Sequence, residues 1–347
     1  MFSAAGLSER LRDGETVLVA EGFLFEMERR GLLQSGPYVP LCVLDHPGHV
    51  AALHEEFVHS GSDVVQAFTY YGTREKMREA GREEELEALN RKALKMAKTI
   101  AEEEGCLMAG CFSGTSRFRY DDPGTYQSAQ EAFREQIGWA LEEGADFLVG
   151  ETFTDLAEAR IALKVAKEVA PGLGTVLTFT QTRASEMTRD GHALGAACEE
   201  MEAAGAAATG LNCSTGPREM LTLLASIRSR CRGPLAALPV PYATSPAKPL
   251  MQQLTLPSGQ SAFPCDLDCF SLPQCEVAAF GRACRNMAIQ YVGLCCGNNP
   301  RYFRTLAESL GREVGASRYA PEKPAVSQPL RRRSASDEKS KSVHVGI

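Results

Sequence analysis

Three cysteines stand in two short motifs, Cys213 within GLNCSTGP and the adjacent Cys295 and Cys296 within GLCCGNNP. Thiolates are soft ligands that select zinc over magnesium or calcium, and a catalytic zinc site keeps three protein ligands and one open position. Gly293 and Gly297 beside the pair would let the backbone turn sharply enough for neighbouring side chains to reach one ion. The alternative is three thiols packed in the core, the usual place of free cysteines. The motifs predict a Zn²⁺ site.

Zinc with three thiolate ligands carries a net negative charge, so it is poorly suited to polarise a carbonyl group. It binds a further thiol and deprotonates it, and the natural reaction is then S-alkylation of a thiol substrate. Glu21 and Glu151 could anchor the ammonium group of an amino-acid thiol. Tyr70 and Tyr71 offer ring faces to a cationic methyl donor. For each of these four residues, solvation at a rim or packing at a strand end is the alternative.

Strands and helices that alternate along the chain would bring these residues to one place. Eight short apolar runs predict strands: Val17–Ala20, Asp63–Phe68, Leu107–Cys111, Phe147–Gly150, Thr175–Phe179, Ala207–Asn212, Leu235–Pro239 and Tyr291–Cys295. Amphipathic patterns between them predict helices at 49–61, 86–105, 129–144, 156–170, 193–205, 220–231 and 275–288. Strands separated by helices pair in parallel, and eight such units fit a single-domain (β/α)8 TIM barrel. A doubly wound open sheet is the competing fold, but the glycine-rich loop that usually follows its first strand is missing.

In a (β/α)8 barrel the active site lies at the carboxyl ends of the strands. Each of the cysteines, glutamates and tyrosines named above ends or follows one of the eight predicted strands. The cysteines follow the sixth and the eighth strand, which a barrel separates by only one other strand. Their placement therefore favours the metal site over packing in the core.

Composition narrows the class of protein. The chain has 347 residues, 12 cysteines and a formal net charge of -7, and 44% of its residues are hydrophobic. An acidic chain argues against a general nucleic-acid binder, and without a run of about 18 apolar residues no transmembrane helix is predicted. Twelve cysteines are too few for a disulfide scaffold. Most of the cysteines outside the two motifs are therefore expected to be packing residues. The start, MFSAAGLSERLRDGE, lacks the apolar core of a secretion signal, which predicts a cytoplasmic protein.

The length alone is compatible with two domains, but the strand pattern predicts one. The barrel is expected to span residues 1–316 and to carry a long loop, 241–273, after the seventh strand. That loop is rich in proline and serine, and a loop of this length is usually functional or a lid. Residues 317–347 are polar and end in a charged stretch, which predicts a disordered tail.

The motifs resemble those of a known family. GLNCSTGP and GLCCGNNP resemble the two zinc-ligand signatures of homocysteine S-methyltransferases, and FLVGETF (147–153) resembles the segment that bears a homocysteine-binding glutamate. The stretches EGFLFEMERRG (21–31) and HPGHVAALHEEFVHSGSDVVQAFTYYG (46–72) look most like the betaine–homocysteine S-methyltransferase branch. The resemblance runs from about Val17 to about Leu310, nearly the whole predicted barrel.

The resemblance implies a (β/α)8 barrel in which Cys213, Cys295 and Cys296 hold zinc and a methyl group passes to the thiol of L-homocysteine. With betaine as the donor, the products are methionine and dimethylglycine. Two catalytic-site residues are implied, Glu151 in contact with the substrate amino group and Tyr71 beside the methyl donor. The remaining substrate-binding residues are expected to be Glu21, Gly22, Tyr38, Tyr70, Thr152 and Asn212.

The chain departs from the family pattern in its first strand-end loop and at two donor-site positions. Ala20-Glu21-Gly22 stands where the family usually has Asp-Gly-Gly, so Glu21 is expected to replace the aspartate from the next position. The betaine enzymes have a tryptophan where this chain has Tyr38 and a tyrosine where it has Thr152. Both differences concern the donor, so S-methylmethionine or another methylsulfonium compound is the alternative to betaine. A homocysteine- and zinc-binding module without turnover is a third alternative.

The expected partners are therefore small molecules, homocysteine and a methyl donor, with neither nucleic acid nor a membrane involved. The chain lacks the long C-terminal extension with which the betaine enzymes dimerise. A homo-oligomer, if one forms, is therefore expected to use a surface other than that C-terminal arm.

Overall fold

Short apolar runs of the sequence form the strands of a closed barrel, because helices cover parallel strands and bury them. The structure is a computed structural model that describes residues 6–34, 36, 38–183 and 185–319. The strands are β1 (Val17–Ala20), β2 (Val64–Gln66), β3 (Leu107–Ser113), β4 (Phe147–Phe153), β5 (Thr175–Phe179), β6 (Ala208–Asn212), β7 (Leu235–Leu238) and β8 (Tyr291–Leu294). Each strand pairs in parallel with the next, and β8 pairs with β1. The predicted (β/α)8 barrel is confirmed.

Helices between the strands cover the barrel from outside. They are α1 (Leu7–Arg12), α2 (Phe23–Arg29), α3 (Cys42–Asp45), α4 (Pro47–His59), α5 (Arg74–Glu79), α6 (Leu86–Glu104), α7 (Gly124–Glu142), α8 (Leu156–Val169), α9 (Leu194–Ala203), α10 (Pro217–Arg228), α11 (Gln274–Asn286) and α12 (Pro300–Ser309). Their apolar positions recur every three or four residues, and in α6 Leu86, Leu89, Ala93 and Ala97 are buried in this way. Such a pattern gives each helix one face that packs on the barrel.

The observed strand bounds differ from the predicted ones where polar residues take part in pairing. β1 and β5 match the predicted runs, whereas β3 extends to Ser113 and β4 extends to Phe153. Ser113 is in register with Glu151, so backbone pairing continues past the apolar run that marks each strand in the sequence. β2 is shorter than predicted, because only Val64–Gln66 pair regularly with β3.

An aromatic cluster between the barrel and its outer helices fixes the end of β4. The rings of Phe112, Phe133 and Phe153 are buried, and their centroids lie 5.8 to 6.4 Å apart. Glycine is required at position 150, because a Cβ on Gly150 would lie 2.8 Å from the Phe112 ring. This packing leaves little freedom to the strand end that carries Glu151.

The long segment 241–273 after β7 contains two 3₁₀ turns, Met251–Gln253 and Leu267–Phe270. The Arg29 guanidinium of α2 donates a hydrogen bond to the hydroxyl of Tyr242 at 3.2 Å. The segment is therefore tied to the helix that follows β1, and it crosses the end of the barrel where the strands terminate.

The C-terminal part of the predicted organisation is only partly described. A 3₁₀ turn, Gly315–Tyr319, is the last described element, and residues 320–347 of the predicted tail lie outside the described residues. The boundary after residue 316 therefore stays a prediction. Among the described residues, no helix combines the length and the apolar character needed to cross a membrane.

Candidate active site

A cavity of about 360 Å³ lies at the carboxyl ends of the barrel strands. Ten of the eleven predicted site residues line it: Glu21, Gly22, Tyr38, Tyr70, Tyr71, Glu151, Thr152, Cys213, Cys295 and Cys296. The eleventh, Asn212, is fully buried behind the lining. The ends of strands that are far apart in the sequence therefore surround one space.

The sulfur atoms of Cys213, Cys295 and Cys296 form a compact triangle. All three Sγ atoms lie within 4.8 Å of one another, and those of Cys213 and Cys296 are 3.5 Å apart. Thiolates bound to a tetrahedral zinc at about 2.3 Å lie about 3.8 Å from one another. The triangle therefore has the size that a tetrahedral metal ion of this kind requires.

Hydrogen bonding inside this thiol triangle shifts the pKa values of its members in different directions. The pKa of Cys213 lies well below its ordinary value, because its sulfur shares hydrogen bonds with Cys295 and Cys296. The pKa of each of these two thiols is raised, chiefly by its hydrogen bond with Cys213. A cation bound by all three sulfurs would favour the thiolate form of each of them.

Unusual backbone conformations bring the sulfurs together. Cys213 and Ser214 have left-handed φ angles of 59° and 57° directly after β6. Gly22 has a φ of 87°, and a Cβ there would lie 2.3 Å from the carbonyl oxygen of Cys295. Only glycine therefore lets the loop after β1 approach the cysteine pair. Left-handed conformations of non-glycine residues cost free energy and are found mainly at functional sites.

Two buried carboxylates, Glu21 and Glu151, lie beside the cysteines. One oxygen of each and the sulfur of Cys295 lie within 4.8 Å of one another. Burial raises the pKa of Glu151 to about 7. Burial, together with the charge of Glu151, raises the pKa of Glu21 well above its usual range. Oε1 of Glu21 is buried and has no hydrogen-bond partner within the described part of the chain.

The cavity itself supplies no cation to these carboxylates. Among the described residues that line it, none is lysine, arginine or histidine. A buried carboxylate without a partner is costly, and a nearby positive charge favours its ionised form. An ammonium group offers three N–H donors and the missing charge. The two glutamates are therefore suited to bind the ammonium group of an amino acid whose side chain reaches the thiol triangle.

Asn212 connects the carboxylates to the neighbouring strand ends. Its Nδ2 donates hydrogen bonds to Oε2 of Glu151 at 3.2 Å and to Oε2 of Glu21 at 3.4 Å. Its Oδ1 accepts hydrogen bonds from the backbone N–H of Thr152 and from the hydroxyl of Thr178, both at 3.0 Å. The structure places this predicted substrate-binding residue behind the two carboxylates, which it orients.

Aromatic rings form another side of the cavity. Three rings line it: Phe25 of α2, Tyr38, and Phe263, which lies in the long segment 241–273. Their ring centroids lie 6.4 to 6.5 Å apart. Burial, and then the nearby Cys296, raise the pKa of Tyr38, so its hydroxyl stays protonated. Ring faces attract cations. This side of the cavity therefore suits a methylated ammonium or sulfonium group.

Tyr70 and Tyr71 also line the cavity, but their rings have other contacts. The two rings stack with centroids 4.3 Å apart, and the Nζ of Lys76 lies 5.2 Å from the centroid of Tyr71. The ring of Tyr71 thus already has one cation and one aromatic neighbour. Its predicted contact with a methyl donor stays a prediction.

Several residues at the site were not among the eleven predicted site residues, and Gln66, Cys111 and Phe263 are three of them. Gln66 donates a hydrogen bond from Nε2 to Oε1 of Glu151 at 3.1 Å, and Cys111 donates one from Sγ to the same oxygen at 3.0 Å. Phe263 lines the cavity. A signal for Gln66 is present in the sequence, because an amide inside the apolar run VVQAF needs a buried partner. Phe263 gives no such signal, since it lies in a segment without regular structure.

Known proteins share this sequence pattern. A family model described as homocysteine S-methyltransferase matches residues 21–310. The chain is 31% identical over 327 residues to S-methylmethionine–homocysteine S-methyltransferase of Mus musculus, across 92% of this chain and 85% of that protein. It is 30% identical over 327 residues to betaine–homocysteine S-methyltransferase 1 of Mus musculus, across 92% of this chain and 78% of that protein.

A solved structure shares the fold. The metallated form of the homocysteine methyltransferase MmuM from Escherichia coli has a TM-score of 0.69 at 18% identity and covers 87% of this chain and 99% of that chain. The match of the family model over most of the chain confirms the resemblance and the thiol S-methyltransferase class predicted from the motifs. The chain belongs to the homocysteine S-methyltransferase family.

Proposed function

We propose that this chain transfers a methyl group from an onium donor to the thiol of L-homocysteine, giving methionine. The observation that carries the proposal is the thiol triangle beside the buried carboxylates Glu21 and Glu151 in one cavity. An amino-acid thiol has the two groups that this arrangement suits, a sulfur for the metal and an ammonium for the carboxylates. The two Mus musculus relatives are both named as homocysteine S-methyltransferases, which supports homocysteine as this thiol.

Zinc is the metal that fits this donor set, since three soft thiolates select it over magnesium or calcium. Cys213, Cys295 and Cys296 would hold it and leave one position open. The 3.5 Å between the sulfurs of Cys213 and Cys296 agrees with that assignment. When bound there, the ion would lower the pKa of an added thiol and keep it as a thiolate.

The residues of the chain bind and orient the two substrates. Glu151 and Glu21 accept hydrogen bonds from the ammonium group of homocysteine, and Asn212 keeps both carboxylates in place. The rings of Tyr38 and Phe25 hold the cationic donor with its methyl carbon towards the thiolate. A bond forms between the sulfur and the methyl carbon as the bond from that carbon to the donor breaks. The electron pair leaves with a neutral amine or sulfide.

Betaine is the donor expected from the sequence resemblance, but the charge of the cavity favours a second candidate. Betaine carries a carboxylate, and the described lining residues include two glutamates and no basic side chain to pair with it. S-methylmethionine carries an ammonium and a sulfonium beside its carboxylate, so its net charge is positive. We therefore favour a methylsulfonium compound as the better donor and betaine as the weaker one.

A comparison of donors tests the reaction. The full-length, zinc-loaded chain is incubated with L-homocysteine and either S-methylmethionine or betaine, and methionine is measured by mass spectrometry. We expect methionine from both donors and a larger kcat/KM with S-methylmethionine. Homocysteine binding without methionine from either donor would instead indicate a binding module without turnover.

Metal analysis of variants tests the ligands. We expect roughly one zinc per native chain and less than about 0.1 in Cys213→Ala, because binding needs the full set of thiolates. Cys284→Ala is the matched control, since Cys284 is buried on α11 away from the thiol triangle. It should keep its zinc. Full zinc content in Cys213→Ala would show that the ligand assignment is wrong.

A further inference from the structure

Glu151, the carboxylate proposed to receive the substrate ammonium, has four donors around it. Its Oε2 accepts hydrogen bonds from Asn212 Nδ2 at 3.2 Å and from Thr152 Oγ1 at 3.4 Å. Its Oε1 accepts them from Gln66 Nε2 at 3.1 Å and from Cys111 Sγ at 3.0 Å. A carboxylate has about four lone-pair sites, so the ammonium would take the place of a donor that faces the cavity, such as the Thr152 hydroxyl at 3.4 Å.

Cys111 occupies a different place from the donors that face the cavity. Gln66 and Thr152 line the cavity, whereas Cys111 does not and is only 4% exposed. Its thiol therefore supports the carboxylate from the side away from the cavity. β3 and β4 pair in register at Cys111 and Val149, so the barrel fixes the distance between the two side chains. A ligand that enters the cavity does not have to displace this thiol.

The surroundings of Cys111 keep its S–H hydrogen directed at Glu151. The carbonyl oxygen of Phe112, another acceptor near this sulfur, is 3.9 Å away, compared with 3.0 Å for Oε1 of Glu151. The backbone carbonyl of Cys111 accepts a hydrogen bond from the Thr69 hydroxyl at 2.5 Å, which fixes the strand end. Burial and the neighbouring charge of Glu151 also raise the pKa of the thiol well above its usual range, so it stays a donor.

We propose that Cys111 is a positioning residue for homocysteine binding, because its S–H hydrogen bond holds Glu151 in the orientation that receives the substrate ammonium. This inference rests on the proposed function. A carboxylate that loses one of its donors can rotate away from the productive orientation, and a hydrogen bond to a charged group is then lost. The effect falls on the affinity for homocysteine rather than on methyl transfer, since Cys111 lies behind the carboxylate and away from the cavity.

The test uses the full-length, zinc-loaded chain and two substitutions of Cys111. Steady-state kinetics give kcat and KM for homocysteine, and calorimetry gives its Kd without turnover. We expect Cys111→Ala to raise KM and Kd about tenfold, with kcat and zinc content unchanged. Cys111→Ser restores a donor and should stay within about threefold of the native values. Cys284→Ala removes a buried sulfur from the outer helix α11 and should leave both constants unchanged.

Several results would overturn the positioning role. They are an unchanged homocysteine Kd in Cys111→Ala, a Cys111→Ser variant as weak as Cys111→Ala, or a fall in kcat at unchanged KM. A Cys284→Ala variant as weak as Cys111→Ala would also overturn it, because the effect would then be general loss of packing. If the native chain bound no homocysteine, the proposed function itself would fail, and that result would be visible before any variant is made.

Discussion

The barrel has buried carboxylates at both ends, and their surroundings differ. At the amino end, Asp63 is 6% exposed and forms ion pairs with Arg312 and Arg10. At the carboxyl end, Glu21 and Glu151 lie beside each other, and the described residues that line their cavity include no basic side chain. Removing one partner of a buried ion pair destabilises a fold, whereas a cationic ligand can supply the charge that the two glutamates lack in the described lining. The comparison separates the stabilising end of the barrel from the binding end.

Residues with strained backbone conformations also lie mostly at the carboxyl end of the barrel. In the described part of the chain, six non-glycine residues have a positive φ, and five of them line the cavity: Tyr38, Tyr71, Thr152, Cys213 and Ser214. The sixth, Ala288, lies in the turn before β8, at the other end of the barrel. Such conformations cost of order 1–3 kcal/mol each and persist only where the surrounding structure imposes them. The binding end is thus held in place by stability that arises elsewhere in the barrel.

Removing the paired charge should weaken the fold and leave the site intact. Asp63→Asn keeps an oxygen for the backbone N–H of Leu18 but removes the charge that faces Arg312 and Arg10. We expect the free energy of unfolding, measured with urea, to fall by about 3 kcal/mol, because a buried pair loses one partner. KM for homocysteine should not change. A raised KM at native stability would contradict the division between the two ends.

Replacing the carboxyl group of Glu21, which has no cationic partner among the described cavity residues, should have the opposite result. Glu21→Gln keeps an oxygen for Asn212 and places an amide nitrogen where Oε1 of Glu21 now has no partner. We expect KM for homocysteine to rise about 100-fold, since a charged hydrogen bond to the ammonium is lost. The thermal midpoint should not fall, because no ion pair within the chain is broken. A lower midpoint with a native KM would make Glu21 a structural residue like Asp63.

Periodicity and residue type were sufficient to predict the barrel and its three cysteines. β1 and β5 begin and end at the predicted residues, because apolar runs follow local rules. The cysteines meet because a parallel barrel brings the ends of its strands together. Conformations that depend on tertiary contacts could not be predicted in this way. Thr152, for example, has a φ of 64°, although a β-branched residue disfavours that region.

Side-chain contacts between different strands could not be predicted from the sequence either. The sequence shows only that Cys111 lies at the end of a predicted strand. Its contact with Glu151 depends on the register of β3 and β4. The sequence also places Tyr71 at the carboxyl end of β2 without indicating what covers its ring. The structure puts Tyr70 and Lys76 there. Chemistry at strand ends could therefore be predicted, whereas the neighbours that orient each side chain could not.

Glu158 is a third kind of buried carboxylate. It is 1% exposed on α8, and its Oε1 accepts hydrogen bonds from the backbone N–H of Thr115 at 2.6 Å and from the Thr115 hydroxyl at 2.8 Å. Burial raises its pKa to about 7, and these hydrogen bonds offset the effect only in part. Neutral groups therefore donate the hydrogen bonds to Glu158, whereas Asp63 forms ion pairs with two arginines.

The raised pKa of Glu158 should make the stability of the chain depend on pH. The pKa of Glu158 rises from 4.5 to about 7 on folding, so its contribution is fully present below pH 4.5 and is lost as the pH rises through 7. Glu158→Gln keeps an oxygen for both Thr115 donors and does not titrate. Between about pH 5 and pH 8, urea unfolding should show a loss of stability about 2 kcal/mol larger in the native chain than in the variant. Equal losses of stability in the native chain and the variant would show that folding does not raise the pKa of Glu158.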